Sequence, residues 1–372
     1  MQEKAKVYFT DLKAWPGMNL LQKLEKLVKK AGIEDIDFKN KFVAIKIHFG
    51  EPGNLSFLRP NYSRVIADLV KELGGKPFLT DCNTLYVGGR KNAVDHLQAA
   101  FENGYNPMVT NCQVIIADGL KGTDEAEIEV NGQYVKNAKI GRAIADADII
   151  ISMNHFKGHE LTGFGGAIKN LGMGCGSRAG KMEMHSSGKP ATRTAKCVGC
   201  RKCASICAHS AISFDENNKV QIDHNKCVGC GRCIGNCNFD AIYSPNDESN
   251  DILNKKIVEY TAAVIKDKPN FHINFIMDIS PNCDCHGEND RPIAPSIGIA
   301  ASFDPVALDK ASADLVNAEK AFMNSLVGEN LKNGEDLHDH FHNAHPTTNW
   351  TSMTEYGKEF GIGTDEYELI KI

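Results

Sequence analysis

The sequence predicts an α/β protein: a mostly parallel sheet with flanking helices, interrupted by a small inserted ferredoxin-like (α+β) module. Three observations carry this. Short apolar runs alternate with helical periods across residues 42–156, and the same rhythm resumes near residue 251. Between the two stretches, eight of the thirteen cysteines crowd into Cys197–Cys237. The expected organisation is a first α/β part over 1–190, the module over 191–246, and a second α/β part with a C-terminal extension over 247–372. Two α/β domains joined by the module would use the same elements.

FVAIKIH (42–48) is a continuous apolar run, as a strand covered on both faces of a parallel sheet requires. NYSRVIADLVKELGG (61–75) has apolar residues at helical spacing and a Gly-Gly stop. KPFLTD (76–81) is the next strand and RKNAVDHLQAAFENG (90–104) the next helix. CQVIIAD (112–118) and ADIIISMNHF (147–156) repeat the strand pattern, and Asn131-Gly132 between alternating residues marks a hairpin. After the cysteines, 251–266 reads as a helix and PNFHINFIMDI (269–279) and PSIGIAAS (295–302) as strands. A helix over 304–316 follows, with Asp304 as N-cap and Pro305 in its first position. Beyond residue 320 the segments are shorter and more polar, and EYELIKI closes the chain as a strand.

Bulk properties exclude several classes. The composition is 42% hydrophobic and 24% charged, an ordinary globular balance over 372 residues. The net charge of −5 lacks the basic surface that nonspecific nucleic-acid binding needs. No apolar run approaches the roughly 18–20 residues of a membrane span, and the start, MQEKAKVYFT, has no signal-peptide core. A cytoplasmic location is expected, with neither nucleic acid nor membrane as partner.

The cysteine block is a duplication. CVGCRKCASIC (197–207) and CVGCGRCIGNC (227–237) share the spacing C-x2-C-x2-C-x3-C at an offset of thirty residues, and Ala211-Ile212 recurs as Ala241-Ile242. That spacing lets three thiolates wrap one corner of a cubane while the fourth reaches across to a second cluster. One [4Fe-4S] cluster is therefore expected on Cys197, Cys200, Cys203 and Cys237, and another on Cys227, Cys230, Cys233 and Cys207. Paired zinc knuckles are the alternative, although zinc does not call for this spacing twice over. The segment resembles bacterial two-cluster ferredoxins over about sixty residues. Ala208 and Asn238 stand where those ferredoxins have Pro, each restoring a backbone N–H near a cluster.

In open α/β sheets, ligands bind at the carboxyl ends of the strands. Those ends supply His48, the pair Asp81 and Asn83, Asp118, Asn154-His155, and Asp278, with Lys157 and His159 next along the chain. Each residue singly is more often a cap or turn former. The stretch KGHELTGFGGAIKNLGMGCGSRAGK (157–181) follows one of these ends. It is not a phosphate loop of the Walker type. Cys175 stands where the first glycine belongs, and Met182 stands where a Ser or Thr would hold magnesium. The spacing of a dinucleotide fingerprint is also absent. What remains is Gly163, Gly165 and Gly166 before a helix, with Lys157 and Lys169 adding positive charge. Such a constellation suits either a generic anion site or a tight packing turn.

Five cysteines lie outside the block: Cys82, Cys112, Cys175, Cys283 and Cys285. The run Cys283-Asp284-Cys285-His286 is dense in soft ligands and is a candidate metal site with Cys175 or His185. A loop of unligated thiols is the favoured alternative. In HDHFHNAH (338–345), His338, His342 and His345 would share one face of a helix, as a metal site or a solvated face.

Taken together, KIHFGEPG (46–53), TDCNTLYVGGR (80–90), the 157–181 stretch, PNCDCH (281–286) and ASFDPVALDKA (301–311) resemble the domain-of-unknown-function family 362. The likeness is closest to members with an embedded ferredoxin module. The resemblance implies an iron–sulfur protein of anaerobic metabolism with an inserted module, and no assigned reaction.

Two functions are consistent with these residues. In one, an oxidoreductase passes single electrons through the clusters to a small anionic substrate or cofactor. Gly163, Gly165, Gly166, Lys169, Asp81 and Asn83 would bind it, and Lys157, His48, His155 or His159 would act as acid or electrostatic stabiliser. In the other, an electron carrier or metallocofactor maturation protein docks a partner and turns nothing over itself. Either needs a redox partner protein or a small-molecule electron donor or acceptor.

Overall fold

The structure is a computed structural model that describes residues 4–85, 88–186, 188–245, 249–332 and 338–372. An eight-stranded sheet dominates it. Its spatial order is Tyr367–Lys371, Ala5–Asp11, Gly298–Ser302, Asn270–Ile276, Ile149–His155, Phe42–Lys46, Lys76–Asp81 and Gln113–Ile116. Gly298–Ser302 runs antiparallel to both neighbours, and every other pairing is parallel. Strands from before and after the cysteine block thus enter one sheet, with Asn270–Ile276 paired directly to Ile149–His155.

Alternation along these strands builds two cores. Ala44, Ile150 and Ala300 face one side of the sheet, under helices Ala167–Cys175, Asn250–Ile265 and Pro305–Ala318. Val43, Ile45, Ile149, Ile151, Ile273 and Phe275 face the other, under helices Leu20–Lys30 and Pro60–Glu72. Both faces are covered, which is why the central strands read as unbroken apolar runs. Glycine at 172 lets two of the helices meet, since a Cβ there would lie 2.2 Å from the Ile257 carbonyl oxygen.

The expected elements form, with shorter ends. The first central strand stops at Lys46 because the chain turns at His48, whose Nδ1 accepts the Gly50 amide at 3.1 Å. The Asn131-Gly132 hairpin joins Glu125–Glu129 to Asn137–Gly141. Asp304 caps its helix through the Val306 and Ala307 amides, with Pro305 at the first position. EYELIKI supplies the edge strand Tyr367–Lys371, parallel to the N-terminal strand. The motif TDCNTLYVGGR holds two residues, 86 and 87, that lie outside the described residues.

The histidine run departs from expectation. Its helix is only His340–Ala344, so His338 lies outside it. His340, His342 and His345 each place one ring nitrogen on a backbone carbonyl, of Glu319, Thr348 and Pro281 respectively.

Candidate functional site

The carboxyl ends of the strands Phe42–Lys46, Lys76–Asp81 and Ile149–His155 open into a cavity of about 390 Å³. Its floor rests on a buried polar chain. Lys46 Nζ lies 3.1 Å from Asp81 Oδ1 and donates to Asn170 Oδ1 at 2.7 Å. Asn170 donates to Asn154 (2.7 Å), Asn154 to Asn274 (2.9 Å), and Asn274 to Asp309 (2.9 Å). Each buried donor here has its acceptor, which is what makes a dry polar network tolerable. Burial opposes ionisation of Asp81, but the Lys46 ammonium leads the charges that hold it well below the usual carboxylate range. Arg90, fully buried, adds contacts to Glu51 (2.7 Å) and Asp81 (3.7 Å).

The cavity wall carries a cation–thiol cluster. Lys169 Nζ donates to Cys283 Sγ at 3.1 Å and Lys157 Nζ approaches it at 4.0 Å. A hydrogen bond from Cys285, followed by the Lys157 and Lys169 ammoniums, holds the Cys283 thiol well below its ordinary range. Cys285 shifts the opposite way, because of its hydrogen bond to Cys283 and then its burial. His159 Nδ1 accepts the Leu161 and Thr162 amides at 3.1 and 3.2 Å, so its proton sits on Nε2. Burial favours the neutral imidazole of His159, and burial followed by the Arg90 charge does the same for His48.

Five sequence candidates, His155, Asn83, Gly163, Gly165 and Gly166, are engaged by the chain itself. His155 points Nδ1 at Asp284 Oδ2 (2.8 Å) and Nε2 at the Met277 carbonyl (2.8 Å), leaving neither nitrogen for a ligand. It braces Asp284. Asn83 is wholly buried and ties the Asp118 carboxylate to the Gly119 carbonyl, away from the cavity lining. Gly163, Gly165 and Gly166 do not present a free helix N-terminus. The first amides of the helix, Ala167 and Ile168, donate to the Asp309 carboxylate at 2.7 and 2.9 Å. The anion at this terminus is the chain's own. The glycines make room: a Cβ at 166 would lie 2.2 Å from Asp309 Oδ1, and one at 165 would lie 2.7 Å from Lys157 Nζ. Gly163, at φ +83°, closes the hairpin Lys157–His159/Gly163–Gly165 against Trp350.

The cavity lining therefore brings together Lys157, Lys169, His48, His155, His159, Asp81, Gly165 and Gly166, and leaves out Gly163 and Asn83. It adds Lys46, Arg90, Lys181 and His185, which the sequence reading did not single out for this site. Cys175 is a core residue whose thiol burial pushes up to about 12. The group that does gather near Cys285 and His286 includes Glu160.

The cysteine block folds as two like halves. Residues 199, 201 and 210 have positive φ (68°, 60° and 48°), and so do 229, 231 and 240 (75°, 66° and 50°), at the same thirty-residue offset. Short helices Lys202–Ser205 and Arg232–Asn236 carry the third cysteine of each run, Cys203 and Cys233, and strands Ala191–Thr192 and Ile242–Tyr243 pair to close the module. One small cavity is lined by Cys197, Cys200, Cys203 and Cys237, and a second by Cys207, Cys227, Cys230 and Cys233.

One helix joins the module to the cavity. Arg178 of helix Arg178–His185 lies against Gly231 and Gly235 and donates to the Lys91 carbonyl. Met182 packs into the module core with Leu85. From the same helix Lys181 and His185 line the strand-end cavity, as does Leu85. Lys91 pins the far side through Asp240 (3.1 Å) and the Cys237 carbonyl (3.2 Å).

Residues 43–314 match the model of a family described as a domain of unknown function, DUF362. The chain belongs to this family. A 143-residue stretch, 38% of the chain, is 27% identical to the thylakoid-associated protein sll1697 of Synechocystis and spans 40% of that relative's length. Two solved structures share 12% identity with it. The lactate racemase apoprotein from Thermoanaerobacterium thermosaccharolyticum is covered over 84% of its length and 100% of this chain, at a TM-score of 0.43. A structural-genomics protein from Thermotoga maritima is covered over 58% of its length and 80% of this chain, at 0.38. Among the described residues, no helix of this DUF362 protein is long and apolar enough to cross a membrane.

Proposed function

We propose that this DUF362 protein is an iron–sulfur oxidoreductase that passes single electrons from two [4Fe-4S] clusters to a small anion in the strand-end cavity. The observation that carries the reading is the pairing of the two cysteine quartets, each around its own cavity, in the crossed arrangement that the duplicated spacing implies. The all-sulfur donor sets, given twice at the C-x2-C-x2-C-x3-C spacing, fit cubanes, and zinc does not call for that spacing. Bound clusters would supply one-electron transfer. Around the sulfurs, the Gly199 and Val220 amides point at Cys197 Sγ and the Ala211 amide at Cys207 Sγ, all at 3.4 Å. Such donors stabilise negative sulfur and tune a cluster's potential.

The cavity's charge supports an anionic ligand. Five ammonium or guanidinium groups line it (Lys46, Arg90, Lys157, Lys169, Lys181) against three carboxylates (Asp81, Glu160, Asp284). Lys46 and Arg90 are committed to Asp81 and Glu51, and Lys181 to the Gly174 and Gly176 carbonyls. Lys157 has no carboxylate within ion-pair distance among the described residues, so its ammonium is the natural anchor for an anionic oxygen. His48, held neutral, can hydrogen-bond that ligand without adding charge.

Mass spectrometry of small molecules released from anaerobically isolated protein tests this reading. A carboxylate- or phosphate-bearing molecule is expected, with occupancy reduced about ten- to hundredfold in Lys157→Met, the loss of one charge-assisted hydrogen bond. A cluster-loaded protein that releases no such molecule, and reduces a partner protein equally well with Lys157→Met, would overturn it in favour of a carrier.

A further inference from the structure

We propose that Glu160, Cys285 and His286, with Cys283 beside them, bind one borderline-soft divalent metal ion, of the Zn²⁺ or Fe²⁺ type, in the wall of the strand-end cavity. The inference goes beyond the electron-transfer reading and does not depend on the clusters. A carboxylate oxygen of Glu160, the Cys285 sulfur and a ring nitrogen of His286 lie within 4.8 Å of one another, close enough for a single ion. All three residues line the cavity. His286 Nε2 is 2.8 Å from Glu160 Oε1. The other oxygen, Oε2, is buried with no hydrogen-bond partner and lies 3.9 Å from His159 Nδ1.

The turn that sets the sulfurs is local. The Cys285 amide donates to Cys283 Sγ at 3.4 Å, folding the two thiol-bearing residues onto one side. The donor set of sulfur, imidazole and one carboxylate excludes magnesium and calcium, which take oxygen cages, and suits zinc or ferrous iron. Three ligands leave a position open to the cavity, where an anion anchored by Lys157 would complete the coordination. His159 is excluded as a ligand through Nδ1, which already accepts two amides. Its Nε2 proton faces Cys283, so it is a positioning residue for that sulfur.

The test is metal analysis of the holoprotein after anaerobic dialysis against Zn²⁺ or Fe²⁺ and then buffer, with cluster iron read separately by electron paramagnetic resonance after reduction. The expected result is one ion per chain beyond the cluster iron. It should be lost in Cys285→Ser and in His286→Gln, whose side chain is 42% exposed and so tolerates substitution. His159→Phe should weaken Zn²⁺ binding about ten- to hundredfold with the cluster signal unchanged. A wild-type protein that retains no extra ion, or variants that retain it in full, would overturn the site. Loss of the cluster signal with the extra ion retained would instead count against the electron-transfer reading.

Discussion

Replacing Asp309 by alanine tests whether the helix Ala167–Cys175 is capped from within. The substitution orphans three buried donors: the Ala167 and Ile168 amides and the Asn274 side-chain amide. At about 1–3 kcal/mol each, that costs roughly 3–9 kcal/mol. An opposing term comes from the carboxylate itself, which burial pushes up to about 6 from 3.8 against the pull of Asn274 and the two amides. Relief of that shift returns about 3 kcal/mol, at 1.36 kcal/mol per unit. The net loss is centred near 3 kcal/mol, and at about 2.1 cal/mol/K per residue over a chain this long the melting midpoint falls by roughly 4 °C. Because the folded pKa is raised, the stabilisation from Asp309 is complete below about pH 4 and is lost as pH rises through about 6. Between pH 7.5 and 5 the wild type should therefore gain about 1.4 kcal/mol over Asp309→Ala. Formate, which can enter the vacated cap, should raise the variant's midpoint and leave the wild type unmoved. Anaerobic thermal melts across this pH range, with and without formate, measure both effects. An unchanged midpoint, or a pH-independent difference with no response to formate, would refute the internal cap.

Two further substitutions probe the module. A Cβ at Gly235 would lie 1.3 Å from Arg178 Nη1, so Gly235→Ala must displace the buried guanidinium, at about 1–3 kcal/mol if its hydrogen bond to the Lys91 carbonyl is lost. Faster hydrogen exchange through Arg178–His185 is expected, and protection equal to wild type would show that the helix does not depend on that contact. Cys200→Ser should abolish the signal of the cluster assigned to Cys197, Cys200, Cys203 and Cys237. Two intact [4Fe-4S] signals in that variant would break the ligand assignment.

The sheet was legible because FVAIK and IIISMNH are buried almost throughout and open on unbroken apolar runs. The cysteine duplication was legible because its ligands are local in sequence. The 157–181 stretch was half legible. Its glycines mark close approach, but the group they approach, Asp309, stands 142 residues from Ala167. Lys46 escaped notice for the same reason: a lysine inside a strand takes its meaning from Asn170, 124 residues on. Cys285-His286 drew attention as soft ligands, while Glu160, 126 residues before His286, had no local signal at all. His155 and Asn83 were correctly placed at strand ends, yet neighbours from distant segments saturate their polar atoms. What sequence could not supply was the set of long-range partners that decides whether a polar residue is free to act.

The central claim is that residues 197–237 hold two cubanes in crossed ligation and deliver their electrons to the cavity. Iron and acid-labile sulfide counting on anaerobically isolated protein, with electron paramagnetic resonance after reduction, tests it most directly. Two [4Fe-4S] clusters predict about eight cluster irons and eight sulfides per chain, with the magnetic interaction of neighbouring reduced centres. Two zinc ions and no sulfide would contradict it.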